Sequence, residues 1–143
     1  MHRAYFIRVN HVDNRLVIFL NGETVYDSGI VHDDPDLNVL VDITGQLEAH
    51  AHHTSELIFE GFNDAYTSAG TSQLNPWHFE YRVFEQVTDA NGVVVEETDM
   101  LPSYNEKHLS NPNIQALNNS YQLVKQNDRF RVIGHSLSHK FAY

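Results

Sequence analysis

The stretch WHFEYRVFEQV, residues 77 to 87, decides the fold class because apolar and polar residues largely alternate along it. Successive side chains of a β-strand point to opposite faces, so this alternation predicts a strand with one buried face. The turn residues Asp89 to Gly92 follow, and VVVEET, residues 93 to 98, predicts the hairpin partner. The apolar set is Trp77, Phe79, Tyr81, Val83 and Val87, and the polar set is His78, Glu80, Arg82 and Gln86.

Similar short runs recur on both sides of this strand. They are AYFIRV (4–9), RLVIFLN (15–21), LNVLVDI (37–43) and SELIFEGF (55–62), and LVKQNDRFRVIGHS (123–136) closes the chain with one or two strands. Asp13 and Asn14 predict a turn between the first two. Many short strands without a convincing helix predict an all-β fold, an antiparallel β-sandwich of the jelly-roll type. The length of 143 residues predicts one domain, 1–143, with a long irregular segment at about 101–120.

Composition excludes several classes of function. Nine Lys and Arg residues against 19 Asp and Glu give a formal charge of −10, which disfavours nucleic acid as a partner. The absence of cysteine excludes thiol catalysis, thiolate metal sites and disulfides. No basic cluster resembles a membrane anchor, and no apolar run approaches the roughly 20 residues that span a bilayer. The N-terminus MHRAYFIRVNHVDN lacks the apolar core of a signal peptide, so we expect a soluble, cytoplasmic protein unless a non-classical route exports it.

Four stretches together resemble the galactose-binding-like jelly roll of carbohydrate-binding modules and glycoside hydrolase accessory domains. They are LVIFLNGETVYDSG (16–29), LVDITGQL (40–47), LIFEGFND (57–64) and PWHFEYRVF (76–84), and the resemblance covers about residues 3–87. The matching residues are Asn21, Gly22, Asp42, Ile43, Thr44, Leu47, Leu57, Phe59, Asn63 and Trp77. The His-rich AHAHHTSE (49–56) replaces the family's usual Gly-x-Asn. The resemblance implies a jelly roll that binds carbohydrate.

The stretch EGFNDAYTSAGTSQLNPWH, residues 60 to 78, is the candidate sugar site. Sugar recognition needs a flat aromatic ring that stacks on the pyranose, together with carboxylate and amide groups that bond adjacent hydroxyls. The candidate ligand-binding residues are Asn63, Asp64, Tyr66, Asn75, Trp77 and His78. In the competing interpretation Trp77 begins a strand and fills the core, while Asn63 and Asp64 cap a turn.

An acidic loop and a His-rich tract are candidate metal sites. HDDPDLN, residues 32 to 38, places Asp33, Asp34 and Asp36 within four residues, and Ca²⁺ prefers such oxygen ligands. The alternative is a solvated turn that Pro35 makes rigid.

The His-rich tract contains His50, His52 and His53. Imidazoles at i and i+2 on a strand share one face, where Zn²⁺ or Ni²⁺ could bind, and the alternative is a solvated loop. Five other histidines are scattered singly and are predicted to be surface or hydrogen-bonded residues: His11, His32, His78, His108 and His135.

Near the end of the chain, RFRVIGHSLSH, residues 129 to 139, resembles the nucleophile elbow G-x-S-x-G around Ser136. An elbow needs a following helix, an acid and a histidine, yet only seven residues follow Ser136 and none is acidic. Ser138 also stands where the motif requires glycine. We therefore interpret GHSLSH as the end of the last strand with a polar turn.

Three classes of function remain. The leading hypothesis is a non-catalytic, lectin-like carbohydrate-binding domain, in which oligomerisation would add avidity to weak sites. The alternative is a structural or interaction protein that forms a homo-oligomer or a larger assembly through its edge strands. A glycosidase or a metal-dependent jelly-roll enzyme ranks third, with candidate carboxylates Glu60, Asp64, Glu80 and Glu85.

Overall fold

The computed structural model describes residues 1–66, 77–108, 123–126 and 129–142. In these ranges the strands are β1 (His2–Asp13), β2 (Arg15–Leu20), β3 (Glu23–Asp27), β4 (Val39–Asp42), β5 (Thr54–Tyr66), β6 (Trp77–Thr88), β7 (Val94–Asp99), β8 (Tyr104–His108), β9 (Leu123–Gln126) and β10 (Arg129–Ala142), and helix α1 (Thr44–Glu48) lies between β4 and β5. The strands form two antiparallel sheets. This confirms the predicted all-β class and the sandwich architecture, while the jelly-roll connectivity stays a prediction.

The first sheet has the strand order β4-β1-β6 and then both β7 and β8. These two share one edge of β6: β7 pairs with the segment 84–88, and β8 pairs with the segment 77–81. The second sheet has the order β3-β2-β5-β10-β9. In the described residues β6 is therefore the centre of the first sheet, and β5 is the centre of the second.

The core lies between the inner faces of the two sheets. The alternation predicted for residues 77–87 is confirmed in its first half, where Trp77, Phe79, Tyr81 and Val83 are buried and His78, Glu80 and Arg82 are half-buried. Other strands and helix α1 contribute fully buried side chains: Ile7, Val9, Val12, Leu16, Ile18, Leu47, Leu57 and Phe59. The polar residues of β6 from His78 to Arg82 consequently face outward.

The chain changes sheets at Asn14, where a turn was predicted. β1 ends at Asp13 in the first sheet, and β2 begins at Arg15 in the second. The Asn14 backbone N–H donates to the Phe62 carbonyl at 3.0 Å, and its side-chain amide donates to the Val31 carbonyl at 3.2 Å. The Val31 N–H also donates to the Asn14 carbonyl at 2.6 Å, so the backbone groups of Asn14 are paired at the point where the chain passes from one sheet to the other.

Two further elements differ from the sequence expectations. Tyr104–His108, inside the segment predicted as irregular, is strand β8, because pairing with β6 satisfies its backbone. Residues 109–120 of that segment lie outside the described residues. β5 continues past the predicted end at Phe62 as far as Tyr66, and it pairs with β10 along this extension. No helix in the described ranges is long and apolar enough to cross a membrane.

Candidate functional site

Polar side chains gather on the outer face of the first sheet, where β1, β6 and β8 lie side by side. The register pairs His78 with Lys107 and Glu80 with Asn105 across β6 and β8. A β-bulge between Val9 and His11 shifts the register of β1, so that His11 lies opposite Glu80. Three neighbouring strands therefore supply polar groups, and the loop between β3 and β4 adds a fourth contribution.

That loop contributes Asp34, which lies at the centre of the group. The Nδ1 atom of His11 is 3.0 Å from Asp34 Oδ1, and the Nδ1 atom of His78 is 3.1 Å from each Asp34 oxygen. The two imidazole rings stack with centroids 4.4 Å apart and an interplanar angle of 20°. We call His11, Asp34 and His78 the imidazole–carboxylate cluster.

Further groups hold the cluster from outside. The Nε2 atom of His78 lies 2.6 Å from Asn105 Oδ1, and the Nε2 atom of His11 lies 3.6 Å from Glu80 Oε2. Glu80 is itself bonded, since the side-chain amide of Asn10 donates to its Oε1 at 3.3 Å. Each imidazole is thus fixed between Asp34 at one nitrogen and a second oxygen at the other.

The cluster is sheltered but open to small solutes. The side chains of His11, Asp34 and His78 are 25, 19 and 12% exposed. Lys107 closes one side, because its Nζ is 3.3 Å from Asp34 Oδ2, and its own side chain is 51% exposed. A small ion or polar ligand can therefore reach the cluster without displacing the core.

The surroundings of Asp34 favour its ionised form. Partial burial raises the pKa of this carboxyl, but hydrogen bonds from His78 and Lys107 and the charges of His78 and His11 outweigh that effect, so the pKa lies below its usual range. Asp34 therefore carries a negative charge at neutral pH and can attract a cation.

The other two predicted calcium ligands do not join this group. Asp33 and Asp36 are exposed, and Asp34 meets two histidines instead. Asp33 and Asp34 both have positive φ, 69° and 49°, and this bend turns Asp34 toward β6 while Asp33 stays in solvent. The structure thus separates the three aspartates that the sequence places together. Calcium binding by Asp33, Asp34 and Asp36 stays a prediction.

The predicted sugar-binding residues are divided between the two sheets. Trp77 is 3% exposed and packs beside Phe79, with ring centroids 5.2 Å apart, so the interpretation as a core residue is correct. His78 belongs to the imidazole–carboxylate cluster. The remaining four residues are Asn63, Asp64 and Tyr66, whose backbone lies in β5 and whose side chains are outside the described part, and Asn75, which lies outside the described residues.

The His-rich tract follows helix α1 as a turn, so the interpretation of His50 and His52 as same-face residues of a strand is wrong. The backbone here closes short-range bonds, including His53 N–H to the His50 carbonyl at 3.2 Å, and His52 has a φ of 68°. The rings of His50 and His53 have centroids 5.2 Å apart. The beginning of the tract, at His50, lies beside a cleft.

This cleft lies between helix α1 and the turn that joins β2 to β3, and we call it the α1 cleft. Its volume is about 560 Å³, within the range of small-molecule sites. It is lined by Leu20, Asn21, Glu23, Gly45, Gln46, Ala49 and His50. The lining combines apolar, carboxylate, amide and imidazole groups.

The serine of GHSLSH lies inside a strand. β10 runs from Arg129 to Ala142, and Ser136 pairs with Glu60 of β5. A register shift between Ile133 and His135 marks a bulge at Gly134. A nucleophile elbow requires a strand-to-helix turn at the serine, so the backbone supports no elbow. The predicted polar turn is also absent from the described strand.

Sequence reasoning missed His11, Asn105 and Lys107 as members of one site. His11 is separated from His78 by more than 60 positions, and Asn105 lies in a segment predicted as irregular. One signal was present: alternation in residues 77–87 places His78 and Glu80 on one exposed face. The bulge that brings His11 to this face has no sequence signature, because a single extra residue in a strand changes no composition.

Comparison of the chain with protein-family models, with curated proteins and with solved structures finds no match.

Proposed function

We propose that this chain is a non-catalytic carbohydrate-binding module that holds a sugar in the α1 cleft. The observation that carries this proposal is the cleft itself, whose volume of about 560 Å³ accommodates one or two pyranose rings. Two of the stretches that resemble the galactose-binding-like family meet here: the Asn21-Gly22 turn and the helix within LVDITGQL. This meeting supports a sugar ligand.

The lining chemistry suits hydroxyl recognition. Glu23 and Gln46 offer a carboxylate and an amide that can bond adjacent hydroxyls, and Leu20 and Ala49 offer apolar contact for ring carbons. Asn21 has a different role: its Oδ1 accepts from the Glu56 backbone N–H at 2.9 Å, and its amide donates to Ser55 Oγ at 3.2 Å. These bonds fix the turn, so one wall of the cleft is preorganised.

The arrangement of carboxylates supports a non-catalytic role. Glycosidases place two carboxylates about 5 to 10 Å apart on either side of the bond that they cleave. Glu80 and Glu85 are five positions apart on β6, so their side chains leave opposite faces of the sheet. Glu60 lies on β5 in the other sheet, beyond the core. None of these three described side chains faces another as a catalytic pair.

A glycan array tests the proposal, followed by titration of the best ligand against variants. Glu23→Gln and Gln46→Ala should each weaken binding about tenfold or more, because each removes hydrogen bonds to hydroxyls. Glu48→Gln is the matched control: it removes a charge from the same helix outside the cleft lining, and it should bind normally. Absence of binding to every glycan on the array, or equal affinity in all variants, would contradict the α1 cleft as the site.

The predicted site at Asn63 to His78 is examined in the same array. Asp64→Ala and Tyr66→Ala should leave binding intact if the sugar occupies the α1 cleft. Loss of binding in these two variants, with Glu23→Gln unaffected, would overturn the α1 cleft and assign the ligand to the originally predicted residues.

The second candidate function is that of an interaction protein. The observation that favours it is the exposed run Val93, Val94 and Val95, whose residues are 57, 47 and 52% exposed at the outer strand β7. A second copy pairing along β7 would cover this run by β-augmentation. Sedimentation should then show a dimer that Val94→Lys converts to a monomer, whereas a monomeric wild type would remove this candidate.

A further inference from the structure

We propose that the imidazole–carboxylate cluster is a binding site for a divalent transition metal of the zinc type. The ligands are Nδ1 of His11, one carboxylate oxygen of Asp34 and Nδ1 of His78. The site is separate from the α1 cleft, so it adds a second binding activity to the proposed function.

The spacing of the ligand atoms fits a metal. Zn²⁺ bonds of about 2.0 Å in a tetrahedron place neighbouring ligand atoms roughly 3.3 Å apart. Asp34 Oδ1 lies 3.0 Å from the Nδ1 atom of His11 and 3.1 Å from the Nδ1 atom of His78. All three ligand atoms lie within 4.8 Å of one another. Each Asp34–histidine spacing therefore lies within a few tenths of an ångström of the tetrahedral value.

The groups around the rings prepare the Nδ1 atoms for a cation. Each imidazole has an oxygen at both nitrogens: Asp34 at each Nδ1, Asn105 at Nε2 of His78, and Glu80 at Nε2 of His11. A neutral imidazole has only one N–H. When that N–H donates outward from Nε2, the lone pair of Nδ1 faces the Asp34 carboxylate, and either a proton on Nδ1 or a metal ion between the two atoms makes the contact favourable.

This arrangement also matches the outer groups of known metal sites in general. Histidine ligands usually donate their second N–H to a carboxylate or carbonyl, which sets the tautomer and the ring orientation. Glu80 and Asn105 occupy these positions, and Asn10 in turn bonds Glu80. The two rings are held on rigid strands, which preserves the geometry in the absence of the ion.

The ligand types select the metal. Two imidazoles and one carboxylate suit Zn²⁺, Ni²⁺, Co²⁺ or Cu²⁺, whereas Ca²⁺ requires six to eight oxygen ligands. The charges agree: Asp34 and Glu80 supply two negative charges, and Lys107 supplies one positive charge. The neutral-imidazole site therefore has a net charge of −1, which a dication offsets. Water completes the coordination on the open side.

Isothermal titration of the chelator-treated full-length chain with ZnCl₂, at a pH where histidine is neutral, tests the site. We expect one equivalent to bind, a 100-fold excess of Ca²⁺ not to compete, and Co²⁺ to give the visible absorption of tetrahedral coordination. Asp34→Asn and His78→Gln should weaken Zn²⁺ binding at least 30-fold, and Asn105→Ala, which removes only the outer acceptor, about tenfold.

Asp33→Asn is the matched control, since it removes the adjacent carboxylate of the same loop and should bind Zn²⁺ like the wild type. His50→Gln with His53→Gln controls for the His-rich tract and should also bind normally. Circular dichroism of each metal-free variant verifies that it is folded. Absence of Zn²⁺ binding at micromolar concentrations, or wild-type affinity in folded Asp34→Asn and His78→Gln, would overturn the proposal.

Discussion

At the scale of single residues, the environment of a side chain decides its role more than its type. Trp77 and His78 are neighbours in the sequence, yet Trp77 is buried in the core and His78 belongs to the outer cluster. The alternation of β6 separates them. The sequence pattern therefore predicts which face each residue takes, but it does not predict which partner each residue meets there.

Truncation of Trp77 tests the core assignment. Trp77→Ala should lower the free energy of unfolding by about 3–5 kcal/mol, because it leaves a large cavity between the sheets. Urea unfolding monitored by circular dichroism measures the loss. Glycan and Zn²⁺ affinities of the fraction that remains folded should be unchanged, and a loss of sugar affinity with unchanged stability would identify Trp77 as a ligand-binding residue instead.

Asp27 should contribute to acid sensitivity. Hydrogen bonds from Arg15, at 2.9 and 2.6 Å, and from the Gly29 backbone N–H lower the pKa of this carboxyl and outweigh its partial burial. A lowered pKa in the folded state stabilises the fold above the unfolded-state value of about 4 and loses this contribution as the pH falls further.

Comparison of the wild type with Asp27→Asn across pH measures this contribution. Since the pair is partly exposed, we expect a difference of only about 0.5–1 kcal/mol near pH 7, which shrinks toward zero as the pH falls through the lowered pKa of Asp27. A difference that grows on acidification would contradict the direction of the pKa shift.

At the scale of elements, β7 is an outer strand of the first sheet that buries little apolar surface. All six of its residues are exposed, so few apolar contacts hold it. Arg82 of β6 links the two strands: it bonds Glu97 and Asp99, and it lies over the Phe84 ring at 4.4 Å from the centroid. Arg82 thus adds side-chain links to the backbone pairing of the two strands, as does the Gln86 amide, which donates to Glu97 at 3.0 Å.

Replacement of Arg82 should therefore loosen β7 selectively. Arg82→Gln is expected to cost about 0.5–1 kcal/mol in stability and to speed amide hydrogen exchange in residues 94–99 more than in β1 or β5. Arg3→Gln is the control. It removes the exposed ion pair between Arg3 of β1 and Glu85 of β6, which includes no residue of β7. Equal acceleration in all strands would show that Arg82 acts on the whole fold.

The elements themselves were largely predictable, and their pairing was not. Alternation and turn residues predict strands at 4–9, 15–21 and 77–87, and β1, β2 and β6 match these positions except that β2 ends one residue earlier, at Leu20. β8 was missed because Tyr104–His108 is short and polar, and its strand conformation depends on hydrogen bonds to β6. The cluster depends on the same pairing and on the bulge at His11, which explains why local patterns indicate His78 and Asp34 but not their meeting.

At the scale of the whole molecule, the cluster connects three segments distant in sequence. An ion bound there would tie β1, the β3–β4 loop and β6 together, and these segments separate on unfolding. A ligand that binds only the folded state stabilises it by mass action.

Zn²⁺ should accordingly raise the melting temperature of the wild type, with a gain of about 2.7 kcal/mol at 100 times the dissociation constant. Calorimetry with and without ZnCl₂ measures the shift. Asp33→Asn should show the same shift, and Asp34→Asn should keep at most about 0.9 kcal/mol of the gain, the remainder expected for a 30-fold weaker site. A Zn²⁺-dependent shift in Asp34→Asn as large as that of the wild type would indicate that the ion acts elsewhere.

The passage of the chain from β1 into β2 at Asn14 has a mechanical consequence. A force applied between the two sheets would load two strands joined by one residue, of which β1 is bonded laterally to β4 and β6 and β2 to β3 and β5. These lateral hydrogen bonds would be loaded together in shear. If one sheet ruptured, the strand that continues into the other sheet would lose its anchor. Under tension the sandwich should consequently unfold in a single step, without an intermediate in which one sheet is intact and the other is unfolded.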